Sequence, residues 1–197
     1  MPRRIDHGAR QAQLAEAVWR VILTHGVSAV SVRNVAEEAD VVVGSLRHLF
    51  PTRTELLTFS AQLMVQRVRD RVDALPARSD PRDRAFDVLT QLLPLDPLRR
   101  AELEVNVALM AEGAAEPALL PIRDEAHAAI ADGCVRLAEQ LTIRPGEPDT
   151  LNAARRLHAL TDGLAVHLLH QADDEDPAWA LEILRHEIET IARTPSD

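Results

Sequence analysis

The chain has 197 residues, 46% hydrophobic and 27% charged, enough for a sizeable core. No apolar run approaches the about 20 residues of a membrane span and no signal-like core opens the chain, so a cytoplasmic protein without a membrane partner is expected. The net charge of −9 argues against nucleic acid, but the sign is uneven: residues 1–53 carry seven Arg against five acids and residues 54–197 fifteen against twenty-six, a basic head on an acidic body.

Met1 to Gly8 is a short arm with Arg3, Arg4 and His7, either a disordered terminus or a basic arm that touches phosphates or the minor groove. From Ala9 to His25, Leu14, Ala17, Val18, Val21 and Ile22 fall on one stripe of an amphipathic helix, and Gly26 suits its C-terminal cap. Trp19 lies beside the stripe and is expected to cover the edge of the core. Ser31 then reads as an N-cap. Between Ser31 and Arg53 two short helices flank a turn at Asp40-Val41-Val42. Asp tolerates the left-handed backbone that a sharp turn needs. Val35, Ala36, Ala39, Val41, Leu46 and Leu49 occupy the positions that a helix-turn-helix must bury.

The residues between these core positions face outward, and their chemistry suits DNA. Ser31 and Arg33 open the first helix, where a cation and free N–H groups meet a phosphate. Gly44 lets the backbone come close to a base or sugar. Ser45 can donate or accept at a base edge, His48 can donate to guanine or touch a phosphate, and Val43 can pack on a thymine methyl. Val42 has no hydroxyl to offer a phosphate. Arg47 and Arg53 offer forked guanidinium donors to the backbone.

The rest of the chain reads as helices between Pro- and Gly-marked breaks, with no convincing strand. Arg53–Leu75 is a long helix on Leu56, Leu57, Ala61, Met64, Val65, Val68 and Val72, with Arg67, Arg69 and Arg71 on a solvated face or paired with acids. Asp83–Leu93, Leu98–Glu112 and about Ile122–Leu141 follow, with Pro81 placed to start the first of them and Gly113 to end the second. Asp149–Gln171 and Ala178–Ala192 close the chain, both apolar over wide arcs. Gly163 stands mid-helix, where a Gly costs about 1 kcal/mol against Ala and points to close approach of another backbone. The single Cys134 excludes an internal disulfide framework or a Cys-rich zinc site, and a buried reduced thiol is expected.

The run Gly26-Val27, Ser31-Val32, Val35-Ala36, Ala39, Val41, Gly44-Ser45-Leu46, Phe50-Pro51 and Glu55-Leu56-Leu57 resembles the head of the tetracycline-repressor (TetR) family of bacterial regulators. Its Leu46-Arg47-His48 and Phe50-Pro51 ending resembles the choline–betaine branch. The chain departs from the usual pattern at Asp40, Val42, Arg47 and Arg53, where Gly, Ser, Tyr and Lys are common. The resemblance implies an all-α fold: a three-helix DNA-binding head over 1–52, and a six-helix ligand-binding and dimerisation body over 53–197, homodimeric through the last two helices. It implies a ligand-responsive regulator, a repressor on a palindromic double-stranded operator with an unknown small-molecule effector. The DNA-contacting set is Ser31, Arg33, Val42, Val43, Gly44, Ser45, Arg47, His48 and Arg53. Gly163, Leu164, His167, Leu184 and Ile188 are expected at the dimer interface.

Candidate pocket residues are Met64, Phe86, Asn106, Met110, His127 and Cys134. Aromatic residues amount to only 3%, with no Tyr, which argues against an aromatic cage for a choline-like cation. His158 with Asp162, and His167 with His170, stand at spacings that can bind a metal, but they lie on the helix assigned to dimerisation; no metal, cofactor or enzymatic activity is expected. The alternative is a helical small-molecule binding or catalytic protein that keeps the head as scaffold.

Overall fold

These apolar stripes become nine α-helices, with no strand, among the residues described by the computed structural model: 7–112, 116–142, 148–172 and 175–193, apart from the side chains of 7–11 and 148. The N-terminal arm before His7 and Gly113 lie outside them. The described chain packs as two compact units, residues 1–67 with 101–124 and residues 68–100 with 125–197. The divisions fall inside α4 (Arg53–Asp73), α6 (Pro97–Ala111) and α7 (Leu120–Leu141).

In the first unit, α1 (His7–His25) buries Leu14, Val18, Val21 and Ile22 against α2 (Val32–Glu38). Trp19, expected at the edge, is fully inside at 3% exposure, its ring under the Arg67 guanidinium at 4.8 Å. Gly26 ends α1 with φ 82 and ψ 165, a region essentially reserved for glycine. Ser31 caps α2, its Oγ accepting from the Asn34 N–H at 3.1 Å. Asp40 takes the left-handed turn with φ 52, as its position required. The following helix, α3 (Val43–Leu49), is pinned to α2 by the fully buried Leu46.

One core assignment changes. Leu49, expected inside, is 47% exposed, and Phe50 is buried in its place, its ring 4.8 Å from that of Phe59. Phe50 is the C-cap of α3, where the backbone leaves the helix at φ −134 with its N–H still donating to the Leu46 carbonyl, and its ring packs into the core. Thr52 and Glu55 then cap α4 reciprocally: the Thr52 N–H donates to Glu55 Oε2 at 3.1 Å and the Glu55 N–H to Thr52 Oγ1 at 3.2 Å.

In the second unit, α9 (Ala178–Arg193) packs on α5 (Pro81–Thr90) and α8 (Pro148–Leu169) through Ala180, Leu184, Ile188 and Ile191. Asp80 caps α5 by accepting from the Arg82 N–H at 2.8 Å, and Pro81 takes the first helical position. The Arg100 guanidinium donates to the carbonyls of Leu168 and Leu169 at 3.0 Å each and to that of Gln171, a cation on the negative end of α8. Arg69 pairs with Glu125 at 2.9 Å and Arg71 donates to the Gln91 carbonyl, so the arginines of α4 are paired rather than merely solvated.

Candidate nucleic-acid interface

The short helices α2 and α3 take their shape from four local features: the Ser31 cap, the Asp40 turn, the Val41 N–H donating to the Ala36 carbonyl at 2.9 Å, and Leu46 in the core. With Leu46 inward, Val42, Val43, Gly44, Ser45, Arg47 and His48 are all exposed, as is Arg33 on α2. Among the described residues the side chains of Arg33, Ser45, Arg47 and His48 make no hydrogen bond or ion pair with the fold around them, so their donors remain available to an outside ligand. A Cβ added to Gly44 meets nothing within 4 Å, so the fold itself does not require glycine there. This face presents cations at Arg33 and Arg47 around a small, apolar centre. A groove wall of phosphates around base edges is its chemical complement.

Two of the nine expected contacts differ in detail. Ser31 is half-buried and spends its oxygen on the α2 cap, keeping only its hydroxyl proton for a phosphate. Arg53 is not a free cation. It donates to Glu116 Oε2 at 3.0 Å and to the Val27 carbonyl at 3.0 Å, and lies 3.8 Å from Glu112. Glu116 also accepts from Thr54 Oγ1 at 3.0 Å. The guanidinium is thus already paired inside its own unit. No sequence signal announces a partner so distant along the chain, and the Thr52-x-x-Glu55 cap, a pattern that local spacing does carry, was missed in the sequence.

The six pocket candidates do not come together within either unit. In the first, Met64 is part of the core, while Asn106 donates to the Sδ of Met110 at 3.8 Å and Met110 is 55% exposed. In the second, Phe86 lies beneath the Arg185 guanidinium at 4.0 Å, and exposed His127 packs against the ring of His158 at 4.8 Å. Cys134 is buried, and its thiol pKa is pushed from 9.0 up to about 11, by burial first and by the charge of Asp162 second. An open groove of about 490 Å³ is lined by Ser79, Asp80, Arg82, Gln140 and Leu141, none of them among the six. Among the described residues no three His, Cys, Asp or Glu side chains converge on a point that could hold a metal ion.

The interface candidates divide by burial. Leu164, Leu184 and Ile188 are 4%, 0% and 1% exposed within the single chain, so they have no surface left to give a partner and instead hold the second unit together. His167 is exposed and Gly163 half-exposed, with nothing within 4 Å of an added Cβ, so packing within the chain does not account for the glycine. The exposed large apolar residues of these two helices are Leu151 and Val166 on α8 and Trp179 and Ile183 on α9. No helix among the described residues is long and apolar enough to cross a membrane.

Comparison with known proteins agrees with this geometry. Residues 14–58 match the family described as bacterial regulatory proteins, tetR family, and residues 81–193 match the C-terminal region of the BetI-type transcriptional repressors. The chain is 37% identical over 173 residues to the HTH-type transcriptional regulator PksA of Bacillus subtilis (strain 168), covering 86% of this chain and 83% of that one. A transcriptional regulator from Rhodococcus sp. Rha1 shares the fold with a TM-score of 0.80 and 28% identity, covering 94% of this chain and 99% of that one. A structure from Saccharomonospora viridis in complex with choline has a TM-score of 0.75 over 92% of this chain and 96% of that one; at 24% identity it shows the fold alone. The chain belongs to the TetR family of ligand-responsive, DNA-binding transcription regulators, with its helix-turn-helix in α2 and α3.

Proposed function

We propose that this chain is a cytoplasmic repressor that binds a palindromic duplex operator as a homodimer and is controlled by a small-molecule effector. The head over residues 1–52 carries α3, and the body over 53–197 pairs two copies and takes the effector. The observation that supports this most is the outward face of α3: Val42 to Ser45, Arg47 and His48 are exposed around the buried Leu46. One such face reaches only a few base pairs, so two heads about one helical turn apart supply affinity and a two-fold symmetric site. The dimer forms through the outward sides of α8 and α9, with Gly163, Val166, His167 and Ile183 at its centre. The effector shifts DNA affinity by binding the DNA-competent and the released states unequally.

Choline does not carry over from the Saccharomonospora viridis complex. Each of the five aromatics is already engaged: Trp19 under Arg67, Phe50 with Phe59, Phe86 under Arg185, and Trp179 donating to Gln171 Oε1 at 3.1 Å. Phe50 and Phe59 are the one pair of these rings in contact among the described residues, short of the several converging faces that hold a quaternary ammonium.

The test is fluorescence anisotropy on duplexes covering the gene's own upstream region. Gly44→Glu has open space for its side chain and sets a carboxylate against the phosphates, which lowers affinity by on the order of 100-fold. Equal binding by wild type and variant, or none by either, overturns the proposal.

A further inference from the structure

We infer that Val42 and Val43 read the operator through thymine 5-methyl groups, so that bases beneath the start of α3 must present a methyl in the major groove. The inference rests on the DNA-binding reading above and deepens it to the bases recognised.

In a helix-turn-helix the first residues of the second helix meet the base edges. Here those positions are Val42 at the N-cap, then Val43, Gly44 and Ser45. The longer donors, Arg47 and His48, come one turn later. Until Ser45 the face therefore offers no side-chain hydrogen bond to a base, only apolar surface and a bare backbone. Thymine alone among the four bases shows a methyl in the major groove, and an isopropyl group is its natural contact.

Val42 is also unexplained by the fold. It is 74% exposed, the most exposed of the large hydrophobic side chains described, while its neighbour Val41 does the packing against the core. A Ser, Thr, Asp or Asn at the same N-cap would satisfy a helix N–H, and Val42 makes no such bond. A position that gives up a cap and exposes an apolar group without any packing gain is where an outside contact is to be sought. The exposed cations of the same two short helices, Arg33 and Arg47, suit that contact to a polyanion.

The experiment uses duplexes selected by wild-type protein from a random-sequence DNA library. In the recovered site, dT is replaced by dU one position at a time, removing only the methyl. Separately, each such A·T pair is changed to G·C with and without a 5-methyl on the cytosine. At one position or more in each half-site dU weakens binding about fourfold, the effect of one buried methyl, and 5-methylcytosine binds about fourfold tighter than cytosine. Val42→Ala with Val43→Ala, on an exposed surface that tolerates it, binds the dT and dU duplexes alike. If wild type binds dT and dU duplexes equally at every position, the methyl reading is overturned while DNA binding stands. If no duplex is recovered, the DNA-binding reading falls and this inference with it.

Discussion

Asp40, Ser31 and Gly26 do at single positions what local chemistry demands of them: φ 52 at the turn, a side-chain cap at the start of α2, and a glycine-only backbone after α1. Each was readable because its cause lies within four residues. Leu49 and Arg53 were not. Leu49 lost its core place to Phe50 because the chain leaves the helix at Phe50, a boundary that spacing does not fix to one residue, and Arg53 found carboxylates supplied by a distant part of the chain. Cys134 makes a prediction at this scale. Burial holds its thiol neutral in the fold up to about pH 11, while the unfolded chain loses that proton near its ordinary 9.0. The folded state therefore binds the extra proton between those values, and stability falls as pH rises through that window. Urea midpoints at pH 8 and 10.5 are expected to fall further apart for wild type than for Cys134→Ala; an equal fall in both would contradict it.

Among the elements, α4 is more than the lever its length suggests. Its first turn is held by the Thr52–Glu55 cap and by Glu116, whose two oxygens take Arg53 and Thr54. Arg67, four turns on, reaches Glu16 of α1 at 2.6 Å and lies 4.0 Å from the buried Glu102 of α6. Helix identities, breaks and the Pro81 start were legible from spacing and punctuation, but these cross-links were not, because composition does not say which acid meets which arginine. Glu116→Ala removes the carboxylate that Arg53 and Thr54 share, so it costs about 1–2 kcal/mol, whereas Glu112→Ala, at the longer distance, costs less than about 0.5 kcal/mol. Denaturation of both variants in urea checks this; equal losses would remove Glu116 from its role.

For the whole molecule, the sequence told correctly that the two closing helices are apolar over wide arcs, but not which arc faces inward. Leu164, Leu184 and Ile188 pack within the chain, and Gly163, Val166, His167 and Ile183 remain outside. Gly163→Leu is therefore expected to leave the fold of one copy intact, since nothing beyond its own helix backbone and chain neighbours lies within 4 Å of an added Cβ, and to block the proposed close approach of α8 to its copy. Sedimentation at micromolar concentration is expected to give a dimer for wild type and a shift of at least tenfold toward monomer for the variant, about 1.4 kcal/mol or more of lost association. A wild type that sediments as a monomer, or a variant that dimerises equally well, contradicts the interface.

The central claim is that the exposed face of α3, with Arg47 on it, grips the DNA backbone. Its most direct measurement is the slope of log affinity against log salt for wild type and Arg47→Ala on the same duplex. Wild type is expected to bind with a steep negative slope, and the variant to bind more weakly with a slope shallower by about one for each head. Salt-independent binding by wild type, or an unchanged slope and affinity in Arg47→Ala, would contradict it.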